Sequence, residues 1–294
     1  MLKAEADDRL ARLATEADGL RPELHRYAAR LVGSVIDGED IIQDAFASAF
    51  SAVSSLSPDT PLRPWLFRIV HNRAIDALRQ SRVRRSEPLD VVYNQADKDA
   101  IDAEGSLIRQ GQVMTALSHF ATLPLPQRSA VILKDVLGES LTDIANLLEL
   151  TVDAVKAHLW RGRAALRALP DRDGESLPQP SQEALNFAAL FNAQDWDALR
   201  RLLADDVRLR QARRSSISGI PEVGKFFSYY AASPTVRIEP AVLEGREILL
   251  VSGVSATKPS YFMLLEWRDR QISLIRDHRY ATYVMDGAEI GRMA

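Results

Sequence analysis

Lys156, Trp160, Arg163 and Arg167 follow one another at intervals of four, three and four residues, so on a helix they share one face. Val152, Val155, Leu159 and Leu166 fall on the opposite side and would pack inward. Lysine and arginine on an exposed face suit a major groove, where they reach phosphates and guanine edges. The alternative is a solvated basic face on an ordinary helix. Thr151 is placed to cap this helix, and Asp153 complements its positive end. A shorter helix precedes it from Leu141 to Leu148, joined by the tight turn Glu149-Leu150-Thr151. Together they have the layout of a helix-turn-helix.

A second constellation spans Arg63 to Arg85. It holds Arg63, Arg68, Arg73, Arg79, Arg82, Arg84 and Arg85 against a single acid, Asp76. A basic helix after a proline-rich loop is suited to lie along phosphates. Trp65, at the loop–helix junction, offers a stacking surface for an unpaired base. A lone tryptophan also fills a core.

Other chemistry is excluded or thinly supported. The chain has 294 residues and no cysteine, which removes disulfides, thiolate metal sites and cysteine nucleophiles. Its five histidines show no metal-ligand spacing, so no metal and no cofactor is expected. The net charge of −3 says little about nucleic acid, because the distribution of charge matters more. No apolar run is long enough to span a bilayer, and Met1 to Asp18 lacks a signal-peptide core; a cytoplasmic protein is expected. Asp277 and His278 are adjacent, so on a strand they point to opposite faces and do not form a pair. Asp195 stands near a helix start and reads as a cap. No catalytic residue is assigned and no enzyme is expected.

The elements that position these residues are helical over the first two-thirds. Leu24, Tyr27, Ala28, Leu31, Val32 and Val35 recur at helical spacing, as do Ile41, Ile42, Ala45, Phe46, Ala49, Phe50 and Val53. Residues 54–64 read as a loop. A third helix buries Leu66, Ile69, Val70, Ala74, Ala77 and Leu78. Residues 87–104 carry Glu87, Asp90, Asp97, Asp99, Asp102 and Glu104 against Lys98, the composition of a linker. Helical periodicity returns with Val113, Ala116, Leu117 and Phe120, breaks at Leu123-Pro124-Leu125-Pro126, and resumes to Gly138. A second linker, 170–180, precedes helices at 181–192, 195–204 and 221–231. Strands fit 207–211, 236–243, 248–255, 261–267 and 272–283. Helices followed by strands indicate an α+β domain.

These residues resemble the sigma factors of bacterial RNA polymerase. Asp40-Ile41-Ile42-Gln43-Asp44-Ala45-Phe46 is similar to the helix of their region 2.2. Pro64 to Asp76 (PWLFRIVHNRAID) is similar to regions 2.3 and 2.4. Leu123 to Arg128, Leu141 to Ala145 and Thr151 to Arg163 are similar to region 4. Motifs in this order over residues 20–169, with no separate region 3, point to the extracytoplasmic-function group. The family often has Lys-Ser-Arg where this chain has Lys156-Ala157-His158, so the role of position 158 and the promoter sequence stay open.

The resemblance implies roles. Asp40, Gln43, Asp44 and Ala47 share a helix face that would bind the clamp helices of core RNA polymerase. Arg63, Trp65, Arg68, Asn72, Arg73 and Arg79 would open and read the −10 element, where flipping a base costs a few kcal/mol. Thr151, Asp153, Lys156, Ala157, Trp160, Arg161, Arg163 and Arg167 would meet the −35 element as duplex.

Residues 181–286 resemble SnoaL-like domains, cone-shaped α+β folds with a curved sheet around a pocket. Asn192 to Leu199, Leu203 to Val207, Gly219-Ile220-Pro221 and Ile275 to Tyr280 carry that likeness. Tyr229, Tyr230, Tyr261, Trp267 and Tyr280 line such a pocket or simply form core. Some sigma factors carry this domain behind region 4 as a regulator. In one such group an Asp-Gly-Gly-Gly-Lys motif lies near the junction; here there is Asp173-Gly174-Glu175.

The expectation is therefore two all-α modules and a C-terminal α+β domain. Region 2 would occupy 1–86, an acidic linker 87–111, region 4 112–169, a second linker 170–180 and the SnoaL-like domain 181–294. The function expected is promoter-specific initiation with core RNA polymerase, modulated by the fused domain through a small molecule or an intramolecular contact. The competing reading is a DNA-binding regulator with a ligand-binding or enzymatic C-terminal domain.

Overall fold

The structure is a computed structural model. It describes residues 2–57, 59–86, 116–169, 179–212, 214, 216–232, 236–253, 259–286, 288 and 290–292. The linker expected at 87–111 and Asp173-Gly174-Glu175 lie outside the described residues. The chain divides into two compact units, one helical and one mixed.

The helical unit contains α1 (Leu2–Val32), α2 (Val35–Ala52), α3 (Leu62–Ser86), α4 (Ala116–Ala121), α5 (Leu125–Val131), α6 (Leu141–Leu148) and α7 (Val152–Arg167). Ser34 caps α2 by accepting from the Asp37 amide at 3.1 Å. Gly38 allows α2 to cross α1 closely, since a Cβ there would lie 2.8 Å from the Ala29 backbone. The loop expected at 54–64 is shorter than anticipated. A 3-10 turn covers Val53–Ser55, and α3 already begins at Leu62. Pro64 sits in the first turn of α3, where its missing N–H costs no helical bond. After α5 the backbone widens into a π turn, Ile132–Val136, with the Leu137 amide bonded to the Ile132 carbonyl at 3.1 Å.

Residues from α1–α3 and from α5–α7 share one apolar core, in which Tyr27, Leu31, Leu66, Val70, Ile132, Leu133, Ile144 and Val155 are all buried. Arg128 ties the two halves together from inside. Its Nη1 donates to the Leu31 carbonyl at 2.7 Å, and its Nη2 donates to the Ala121 and Leu123 carbonyls at 2.5 and 2.8 Å.

The mixed unit contains α8 (Gln182–Asn192), α9 (Trp196–Arg201), β1 (Leu203–Gln211), β2 (Ile217–Ser218), α10 (Ile220–Ala231), β3 (Val236–Leu243), β4 (Arg246–Gly253), β5 (Tyr261–Arg268), β6 (Gln271–Asp277) and β7 (Ile290–Arg292). The expected α+β class is observed. Its seven strands run in the order β2-β1-β6-β5-β4-β3-β7, with β1 and β6 parallel and the other neighbours antiparallel. The strand expected to continue to Tyr283 stops at Asp277, and Thr282–Met285 form a 3-10 turn instead. Asp195 caps α9 by accepting from the Ala198 amide at 2.9 Å, as expected.

Among the described residues, aromatic side chains pack against one face of this sheet. Phe187, Phe191, Phe227 and Tyr230 are buried there, with Phe191 5.0 Å from Tyr230 and 5.2 Å from Trp196 between ring centres. Four of the five aromatics considered above divide between core and surface. Tyr230 and Tyr261 are buried and share a 2.8 Å hydroxyl contact, Trp267 packs on the core edge, and Tyr229 is exposed.

Candidate nucleic-acid and polymerase interfaces

The helix-turn-helix forms as its local signals dictate. The Thr151 hydroxyl accepts from the Ala154 amide at 3.2 Å, and Ser140 caps α6 by accepting from the Asp143 amide at 3.1 Å. Glu149 takes the left-handed conformation that closes α6 (φ 56°). Val155 and Leu159 are buried, as their spacing requires. Gly162 lets α7 settle on α5, because a Cβ there would stand 2.7 Å from Val131 Cγ2.

The outward face of α7 is less uniform than its sequence implies. Trp160 is 71% exposed, an unusual state for so large an apolar side chain. Lys156 is exposed and lies 3.1 Å from Asp153. Thr151, Asp153, Arg161 and Arg167 are exposed, and Ala157 is half-buried. Arg163 is engaged elsewhere in the fold. Its Nε and Nη2 donate to the two carboxylate oxygens of Asp135 at 2.8 and 2.5 Å. This fork-to-fork contact raises the arginine's pKa further above its ordinary value. His158, where the family pattern departs, is held below its ordinary pKa by burial and then by Arg161.

Lys134, Leu141, Lys156, Leu159, Trp160, Arg163 and Arg167 line a concavity of about 400 Å³. Lys134 was absent from the sequence reading. It sits on the π turn, beside α7, and donates to the Glu139 carbonyl at 2.9 Å. A Lys-Asp pair just ahead of a glycine was the available signal, but periodicity does not show that the turn widens there.

The α3 surface splits in a similar way. Arg68, Asn72, Arg73 and Arg79 are exposed; Arg73 donates to Ser48 Oγ at 2.6 Å, and Arg79 lies 3.8 Å from Asp76. Trp65 is half-buried and packs on the core. Arg63 is drawn into the fold. Its Nη2 donates to Glu23 at 2.6 Å and to Glu139 at 2.5 Å, and its guanidinium lies 4.9 Å from the Phe67 ring centre. His71 Nδ1 and the Tyr27 hydroxyl share a 2.7 Å hydrogen bond, and burial lowers the His71 pKa to about 4.

On α2, Asp44 and Ala47 are exposed and Asp40 and Gln43 half-exposed, so the four face solvent together on one side. The opposite side, with Ile41, Ile42, Ala45 and Phe46, is buried. Among the described residues no group of His, Cys, Asp and Glu is arranged to hold a metal ion, and no helix is long and apolar enough to cross a membrane.

Two family models match in the order of these elements. Residues 18–84 match Sigma-70 region 2, and residues 117–166 match Sigma-70, region 4. Over 150 residues the chain is 35% identical to the ECF RNA polymerase sigma factor SigM of Mycobacterium tuberculosis, covering 50% of this chain and 71% of that one. The chain belongs to the extracytoplasmic-function sigma factor family. It is also 29% identical over 158 residues to the ECF RNA polymerase sigma factor SigW of Bacillus subtilis, covering 51% of this chain and 84% of the other. Among solved structures, the extracytoplasmic function sigma factor SigJ of Mycobacterium tuberculosis overlaps 93% of this chain and 98% of its own, at 18% identity and a TM-score of 0.37. The α2 face thus lies in the region 2 match of this sigma factor, and the helix-turn-helix in its region 4 match.

Proposed function

We propose that this protein binds core RNA polymerase and directs it to promoters recognised at the −10 and −35 elements. The observation that carries the reading is the order of the region 2 and region 4 matches in one chain, each on the elements just described. A simple DNA-binding regulator has no use for the first.

In this reading Asp40, Gln43, Asp44 and Ala47 present the polymerase contact. Arg63, Arg68, Asn72, Arg73 and Arg79, with Trp65 at their edge, face −10 DNA. Lys156, Trp160, Arg161 and Arg167, with the Thr151 cap, Asp153 and Ala157, face −35 DNA. Arg163 holds α7 against Asp135 and acts on DNA through that position. The modules follow the divisions 1–86, 112–169 and 181–294, joined by 87–111 and 170–180.

The C-terminal unit serves as a regulator and not as an enzyme. The aromatic side chains packed on one face of its sheet favour a packed module. A small molecule or a contact within the chain would act through it.

Run-off transcription with purified core RNA polymerase tests the whole reading; absence of promoter-dependent initiation on a panel of candidate promoters would count against it. Removal of residues after Pro170 tests the regulatory role, and equal output from the two lengths would refute it.

A further inference from the structure

We infer that Arg63 is a latch between the region 2 and region 4 modules, held across the boundary by Glu139, oriented by Glu23 of its own module, and released when DNA competes for it. The inference rests on the sigma-factor reading above. Glu23 belongs to α1, Arg63 to the first turn of α3, and Glu139 to the segment between the π turn and α6. One atom, Arg63 Nη2, serves both carboxylates, at 2.6 and 2.5 Å. A DNA phosphate approaching that nitrogen would meet two negative charges at contact distance, and like charges repel strongly there. Arg63 therefore has two exclusive sets of partners. It faces Glu139 with the modules together, or phosphate once the segment bearing Glu139 has withdrawn.

The rest of the contact is the shared apolar core described above. Gly33 lies against Ala121, and Arg128 reaches the Leu31 carbonyl from within the shared core. Those groups supply apolar area and a buried charge-assisted hydrogen bond to a backbone carbonyl, out of reach of DNA while the modules are together. Arg63, Glu23 and Glu139 are the part that a polyanion can compete for. Glu139 keeps 13% of its side chain exposed and Arg63 40%, so the pair is partly shielded from salt but still open to attack.

The absence of cysteine makes the test direct. Ser51→Cys and Asn146→Cys place dyes on α2 and α6 of the full-length chain, and single-molecule energy transfer reports the separation of the modules. The unaltered pair of glutamates should give one high-transfer population. Glu23→Gln with Glu139→Gln should lower the closed-to-open ratio by about three- to tenfold, the range that partly exposed ion pairs support. Promoter DNA without polymerase should then bind more tightly by a similar factor, because less of the chain is held incompetent. Glu16→Gln with Glu149→Gln removes the same charge from exposed sites and should leave the transfer distribution unchanged. An unchanged distribution in the latch variant, or a change matched by the control, would overturn the inference. Transfer is read without polymerase, so failure of run-off transcription would sink the sigma-factor reading without deciding the latch.

Discussion

Asp135 holds two of the three donor nitrogens of Arg163, 2.8 Å from Nε and 2.5 Å from Nη2, and so ties the outer edge of α7 to the π turn. Arginine and lysine on the same helix face thereby acquire different tasks. Lys156 and Arg163 separate these tasks experimentally.

Lys156→Ala should weaken −35 duplex binding by about 1 kcal/mol and reduce the salt slope by about one unit, as a phosphate contact does. Arg163→Ala should leave the salt slope nearly intact while lowering affinity through a loosened helix. Titrations of labelled duplex at several salt concentrations distinguish the two. Equal loss of slope in both variants would return Arg163 to the DNA.

Gly162→Ala pits two effects against each other. Alanine gains about 1 kcal/mol of helix propensity over glycine. Its Cβ, however, would stand 2.7 Å from Val131 Cγ2 and 3.4 Å from Gln127, and Val131 is buried with little room to turn. Overpacking of this kind costs about 1–3 kcal/mol, so the variant should melt below the wild type. A higher melting temperature would show that α5 and α7 give way easily.

His71 makes the helical unit sensitive to acid. Its folded pKa of about 4 lies below the ordinary 6.5, so folding favours the neutral form. Stability is complete above the unfolded value and is lost as pH falls from about 6.5 towards 4. At about pH 5 the loss should reach roughly 2 kcal/mol. Chemical denaturation at neutral and acidic pH checks this. His71→Gln, which keeps a hydrogen-bond partner for Tyr27, should flatten the dependence.

Asp277 makes the mixed unit respond in the opposite direction. Burial raises its carboxyl from 3.8 to about 6, against the lowering contacts from Gln211 and the Arg279 amide. A raised acid contributes stability that is complete below about pH 4 and lost as pH rises through 6. Asp277→Asn should therefore stabilise the unit at about pH 7.5 by roughly 1–3 kcal/mol, provided the Gln211 amide turns to donate and accept correctly. A destabilised variant would mean that the charge is needed where it stands.

Much of this was legible in local signals. Thr151 capped its helix, Val155 and Leu159 went inward, and Asp40, Gln43, Asp44 and Ala47 stayed outward, because caps and helical periods act within a few residues. Asp277 and His278 also part, although β6 ends at Asp277: Asp277 lies on Gln211 and His278 on the Phe262 ring at 4.3 Å. The partners of Arg63 and Arg163 were not legible. Glu139 lies 76 positions from Arg63 and Asp135 lies 28 from Arg163, and composition cannot show which carboxylate a guanidinium will find. The parallel pairing of β1 with β6 was hidden for the same reason, since alternation in a strand names its faces but not its neighbour.

Arg128 gives the common core of the helical unit a further meaning. Whenever the halves part, a guanidinium loses its Leu31 acceptor while Leu31, Ile132 and Leu133 meet water at the same instant. Such a chain is briefly sticky. A chain opened in the way inferred above would bare that apolar surface, so its self-association should rise with concentration.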